Sequence, residues 1–408
     1  MLTSKLKLPT FGAALLLVAC ISSEALAGAK PKVKANNIKY SAKMAESEMM
    51  RHKELWMADF VKQPKWDYTQ GLMALAMLQV ADSSKNEHFY AYAKGFADKF
   101  IDETGAISTY TVDEYNIDRV NPGKFLIYLY KKTGTEKYKK AVDILRGQLD
   151  THPRTTEGGF WHKKIYTSQM WLDGLYMGAP FYAQYAKEFN RPNDFADVVK
   201  QFVIVNKHTY DSKTGLNYHG WDEQKQQAWA NKVTGCSPNF WGRAMGWYAM
   251  GLVDALSILP AKQEGRADVL AIFKQVASGI KKYQDKQTGV WYQVLDQKGR
   301  EGNYLEATAS SMFVYALLKG VRLGYLDKSY LQVAERGYQG ILKQFIKNNA
   351  DGTISLTSCC AVAGLGGNPY RDGSYEYYIS EPKRDNDPKG VGPFIMASLE
   401  YEYFHSKR

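Results

Sequence analysis

Cysteine is scarce in this 408-residue chain: Cys20, Cys236, Cys359 and Cys360 are all there is. Cys20 lies in an apolar leader, and the remaining three, an odd number, give no disulfide framework. No CxxC pair occurs, which argues against a structural zinc site. The neighbours Cys359 and Cys360 form either a strained vicinal disulfide or, more commonly for such pairs, two buried thiols. Strand patterns are almost absent, with one short candidate hairpin piece at 290–294. Beyond the leader no apolar run is long enough to cross a bilayer. No linker rich in Pro, Gly or Ser divides the chain, so 38–408 reads as a single domain. There is no RGG tract, zinc pattern or RNA-binding aromatic motif. The net charge of +11 therefore does not point to nucleic acid. Lysines scattered over helical segments point first to a solvated surface and next to an anionic small substrate.

The leader has the plan of an export signal. Lys5 and Lys7 form a basic start, 11–21 an apolar core, and Ala25-Leu26-Ala27 a small-residue cleavage site. The mature chain is expected to be exported, periplasmic or secreted. Within the leader Leu17-Val18-Ala19-Cys20 also fits a bacterial lipoprotein box, which would anchor the chain through Cys20 instead. Residues 28–37 are polar and expected to fray.

What is abundant is helical periodicity and aromatic side chains, with 29 Tyr, 17 Phe and 9 Trp. The periodicity predicts helices over 38–60, after 66–69 with Leu72, Leu75, Ala76 and Leu78 on its apolar face, and over 86–101, 119–132, 136–150, 169–189, 194–209, 239–259, 264–284, 304–323, 327–345 and 391–405. Polar turns with glycine return between them, at Gly105, Gly158, Gly215, Gly289 and Gly352. One such turn per helical hairpin is a repeat signature. About six hairpins and twelve helices give an all-α fold, an (α/α)6 toroid, with long loops gathered on one face to carry the site.

Asp173 stands in the apolar run 169–181. It is either the N-cap of a helix starting at Gly174 or a carboxyl whose pKa is raised by desolvation, as a general acid requires. Other aromatic and charged clusters fall in the long loops or at helix starts: 116–119, 160–163, 217–221 and 240–247. Asp118 is a second acidic candidate or a helix N-cap. His162 and His219 are site or structural histidines, and Arg243 binds an anion or a structural carboxylate. Glu306 is a further acid, read as structural. No metal cluster and no cofactor motif is visible.

The motifs WDYTQGL (66–72), QMWLDGLYMGAPF (169–181), FWGRAMGWYAMGL (240–252) and LEATASSMFVYAL (305–317) resemble glycoside hydrolase family 105. So do SCCAVAGLGG (358–367) and YYISEPKRDNDPKGVGPF (377–394). The resemblance spans about 40 to 404. It implies an (α/α)6 unsaturated rhamnogalacturonyl hydrolase. Such an enzyme hydrates the vinyl ether of a 4,5-unsaturated uronic acid left by polysaccharide lyases. It implies Asp173 as proton donor and Asp118 as the second active-site aspartate. It also implies that His162, Lys163, His219, Trp241, Arg243 and Trp247 bind substrate, with no metal or cofactor. The partner is then an anionic oligosaccharide. Unsaturated glucuronyl hydrolysis, or a lyase or epimerase on the same toroid, are the alternatives.

Overall fold

Two kinds of helix alternate along the chain, and the alternation builds the architecture. The computed structural model describes residues 39–406, which fall in one compact unit. The helices are α1 Tyr40–Arg51, α2 Tyr68–Ser84, α3 Glu87–Phe100, α4 Gly123–Thr133, α5 Glu136–Thr151 and α6 Leu172–Glu188. They continue with α7 Asp194–Thr209, α8 Gly242–Leu256, α9 Arg266–Lys282, α10 Ala307–Arg322, α11 Ser329–Gln344, α12 Tyr375–Ser380 and α13 Pro388–His405. The even-numbered helices α2 to α10, with α13, are apolar around most of their girth. In α8 every residue is buried. Such a helix has no solvent face and belongs inside. Helices α3, α5, α7, α9 and α11 carry one apolar stripe and a charged face, so they pack outside.

The inner helices close a ring. α2 packs on α4, α4 on α6, α6 on α8, α8 on α10, α10 on α13, and α13 returns to α2. α1, α3, α5, α7, α9 and α11 cover them. This is the (α/α)6 toroid expected from the hairpin count. Small residues let the inner helices approach. A Cβ on Gly251 of α8 would stand 3.1 Å from the backbone of Tyr176 in α6.

Connectors differ at the two ends of the ring. Those from inner to outer helices are short: 85–86, 134–135, 189–193, 257–265 and 323–328. Those from outer to inner are long: 101–122, 152–171, 210–241, 283–306 and 345–387. Each long connector begins with one of the five repeated glycine turns, all at φ between 81° and 94°. The N-termini of the inner helices and the long loops thus share one face. Four two-stranded antiparallel pairs lie in those loops; the pair Gln169–Trp171 with Gly220–Asp222 and the bridges Asn116–Lys163 and Trp241–Val294 join one loop to another.

Some boundaries differ from the periodicity. α1 stops at Arg51, and the apolar residues after it form a 3-10 turn, Leu55–Met57, then a bend with Asp59 and Phe60 at positive φ. α4 starts at Gly123, because Pro122 takes its cap position. α12 escaped the pattern because it is short. Cys236, Cys359 and Cys360 are buried free thiols. No described helix is long and apolar enough to cross a membrane. The export signal 1–27, its Cys20 alternative and the tail 28–37 lie outside the described residues.

Candidate active site

Asp173 is the second residue of α6, but it does not cap that helix. The helix begins at Leu172, Trp171 takes the cap position, and no side chain satisfies the cap. Its carboxylate is therefore free for other contacts. Strand Gln169–Trp171 pairs with strand Gly220–Asp222, placing Trp171 opposite Gly220. Beside this pair the Leu172 N–H donates to the His219 carbonyl at 3.0 Å. These bonds bring His219 Nε2 to 3.2 Å from Asp173 Oδ2. Neither atom makes a hydrogen bond among the described residues, so the two face each other as a close ion-pair contact. Asp173 keeps 13% of its side chain exposed, whereas His219 has none.

Asp118 is held from the other side. It lies in the 3-10 turn Ile117–Val120, which the Asn116 side chain caps through the Asp118 N–H at 3.1 Å. Asn116 bridges Lys163, the Ile117 N–H donates to the His162 carbonyl, and the His162 N–H donates to the Gln169 carbonyl. The loops 101–122 and 152–171 are thereby tied together, and the strand pair Gln169–Trp171 with Gly220–Asp222 joins 210–241 to them. Lys163 Nζ lies 2.7 Å from Asp118 Oδ2, and His162 Nε2 lies 3.5 Å from Oδ1.

Burial alone would raise the Asp118 pKa, but the charges of Lys163, His162 and Lys65 outweigh it and hold the carboxyl below its usual range. Burial likewise opposes the charge on Lys163, and Asp118 overcomes it, so the ammonium pKa is raised. For His162 burial wins over the pull of Asp118, and its pKa falls to about 4. The ring is neutral at neutral pH. It feels Asp118, Lys163, Asp173 and His219 together, so the two halves of the site meet at His162. Trp171 stacks on His162 at 4.5 Å and meets His219 edge-on at 5.4 Å.

Arg243, the second residue of α8, is only 1% exposed. Its guanidinium donates to the Cys360 carbonyl and lies 4.6 Å from the Trp241 ring centroid. Its Nε has no hydrogen-bond partner among the described residues. Tyr68 lies within electrostatic range of Asp59, Asp118 and Arg243, and its ring meets Trp247 edge-on at 6.1 Å. Trp241 and Trp247, expected as open stacking faces, are each 1% exposed. Trp241 stacks on Tyr378 at 5.8 Å, and Trp247 on Tyr176 at 4.9 Å. Packing of α8 into the ring covers both, so they support the walls of the site and offer no free platform. Glu306 is structural. Its two oxygens accept the Ala309 N–H at 2.6 Å, capping α10, and the Cys360 N–H at 2.8 Å.

The site is thus a partly exposed carboxyl beside an imidazole, a second carboxylate held ionised by a lysine, and a buried arginine, all at one face of the ring. The family model for Glycosyl Hydrolase Family 88 matches residues 40–405. The chain belongs to glycosyl hydrolase family 88. A solved glycoside hydrolase from family 105 of Clostridium acetobutylicum is 49% identical, covers 90% of this chain and 100% of its own, and superposes with a TM-score of 0.87. The resemblance to family 105 read from the motifs agrees with this match. The Bacillus subtilis unsaturated rhamnogalacturonyl hydrolase YesR is 26% identical over 66% of this chain and 76% of its own length. The unsaturated glucuronyl hydrolase of Bacillus sp. GL1 is 13% identical, covers 89% of this chain and 95% of its own, and shares the fold at a TM-score of 0.67.

In this family 88 chain the residues singled out from sequence do converge. Asp118, His162, Lys163, Asp173 and His219 form one cluster. Trp241 joins it 4.8 Å from His219, bringing Arg243 with it, and Trp247 adjoins through Tyr68. Sequence reasoning missed Tyr68, Gln293 and Tyr378. Tyr68 and Tyr378 lie inside the quoted motifs, so a signal was present but carried no role.

Proposed function

We propose that this family 88 hydrolase removes the 4,5-unsaturated galacturonyl residue from the non-reducing end of lyase-generated rhamnogalacturonan fragments, and that it works outside the cytoplasm. The observation that carries the reaction type is Asp173: a partly exposed carboxyl, free of any capping duty, with His219 Nε2 at 3.2 Å. The likeness to YesR supports the sugar.

In the proposed reaction the Asp173 carboxyl gives its proton to C4 of the C4=C5 double bond, and positive charge develops at C5 and the ring oxygen. Water adds at C5 and returns a proton to the Asp173 carboxylate. The hemiketal opens at the C5–O5 bond, and the anomeric carbon becomes an aldehyde as the next sugar leaves. One carboxyl serves as acid and then as base. Asp118 stays ionised and supplies negative charge near the developing cation. Lys163 and Arg243 attract the substrate carboxylate.

The test is absorbance of the conjugated double bond during incubation with lyase-digested rhamnogalacturonan. A fall accompanied by free rhamnose is expected. A fall only with unsaturated glucuronyl products would transfer the assignment to glucuronides, and a rise on intact polymer would identify a lyase.

A further inference from the structure

Tyr378 reaches the site from α12, 159 residues away in sequence from the histidine it touches. Its hydroxyl lies 2.8 Å from His219 Nδ1, and both side chains are fully buried. The opposite ring nitrogen, Nε2, faces Asp173. Tyr378 is itself fastened. The Gln293 Nε2 donates to its carbonyl at 3.0 Å, while the Gln293 Oε1 accepts from Trp241 Nε1 at 3.2 Å. Trp241 in turn stacks on the Tyr378 ring at an interplanar angle of 16°.

Proton bookkeeping distinguishes the two tautomers of His219. If Nδ1 carried the proton, it would donate to the tyrosine oxygen. The tyrosine proton would then have no acceptor among the described residues, and the Nε2 lone pair could be met only by the Asp173 proton itself, which would draw that proton away from the substrate. If the tyrosine donates to Nδ1, the ring proton sits on Nε2. The two atoms without hydrogen-bond partners, Nε2 and Asp173 Oδ2, then face each other at 3.2 Å as donor and acceptor, a contact that a small shift closes into a hydrogen bond. A buried donor or acceptor left unmade costs more than a made bond gains.

Resting on the proposed hydrolase reaction, we infer that Tyr378 is a positioning residue that fixes His219 as the Nε2–H tautomer aimed at Asp173. In that tautomer the N–H meets the negative charge that appears on Asp173 when its proton moves to C4. Asp173 Oδ1 is left to face the substrate.

The experiment is nitrogen-15 NMR of histidine-labelled protein at neutral pH, with the His219 signal assigned by its loss in His219→Gln. The wild type should show a neutral His219 ring protonated on Nε2. Tyr378→Phe keeps the ring that stacks on Trp241 and removes only the hydroxyl. It should lose that pattern and lower kcat on the order of ten- to a hundredfold, as wrong tautomers do in other sites, with KM and melting temperature little changed. A wild-type ring protonated on Nδ1 or on both nitrogens overturns the proposal. So does a folded Tyr378→Phe that keeps Nε2–H and full kcat. The wild-type spectrum needs no substrate, so it stands even if the substrate assignment fails.

Discussion

Lys124, the second residue of α4, is buried without a hydrogen-bond partner, its ammonium 3.5 Å from the Tyr176 ring centroid. Burial pulls its pKa from 10.5 to about 7, with Asp254 opposing and Lys319 assisting. A group whose folded pKa lies below its unfolded value costs stability wherever the unfolded chain holds the extra proton. For Lys124 that window runs from about pH 10 down to 7, below which the cost is constant. The shift corresponds to about 5 kcal/mol at 1.36 kcal/mol per unit. Lys124→Met keeps the unbranched stem and removes the charge. It also removes a cation–π contact, worth about 1–2 kcal/mol when desolvated. The variant should therefore be more stable than wild type by about 3 kcal/mol at pH 6. That gain should shrink by about 1.4 kcal/mol for each pH unit above 7. Urea unfolding followed by tryptophan fluorescence at pH 6, 8 and 9.5 measures this. A gain that is constant with pH, or a variant less stable at pH 6, would refute the reasoning. Because Tyr176 also stacks on Trp247, the same variant reports whether the lysine is kept to brace the wall of the site.

Asp173→Asn should fold with an unchanged melting temperature and lose turnover by a factor on the order of a hundred or more. Near-normal rates would remove Asp173 as the acid. Lys163→Met should raise KM roughly tenfold, because a charge-assisted contact to the substrate carboxylate is lost; steady-state kinetics with an unchanged KM would remove Lys163 from binding. His162 has a folded pKa below its unfolded value, so its contribution to stability is complete above pH 6.5 and is lost as pH falls through about 4. His162→Gln should flatten the fall in stability between those pH values by about 3 kcal/mol, read from unfolding at both ends of the window. Glu48 titrates in the opposite sense, its pKa raised to about 7 chiefly by burial, so only the difference between variant and wild type is informative.

The toroid was legible because both its signals are local. Helical periodicity and the recurring glycine turn each require only neighbouring residues, and the ring follows from counting hairpins. The ends of helices were less so. Nothing in the 38–60 run marks Arg51 as the last helical residue; the backbone leaves the helix at His52, which is extended at φ −128° and ψ 109°. In the site, Asp173 stood out as a charge in an apolar run, whereas Asp118, Lys163 and Arg243 lay in aromatic and charged clusters and took their expected roles from the family resemblance. The residues that hold them did not stand out. Tyr378 and Gln293 act through contacts across 159 and 85 positions, and ordinary tyrosines and glutamines carry no sign of such partners. Trp241 and Trp247 misled for the same reason. Their chemistry suits sugar stacking, but the packing of α8 decides which faces remain free.

The most direct test of Asp173 as the acid is the reaction run in deuterated water on an unsaturated galacturonyl-rhamnose disaccharide, with the product read by NMR in the first turnovers. Delivery from one fixed carboxyl predicts loss of the vinyl signal together with a single deuterium on one face of C4. Release of rhamnose with the vinyl proton intact, or deuterium spread over both faces, would contradict it.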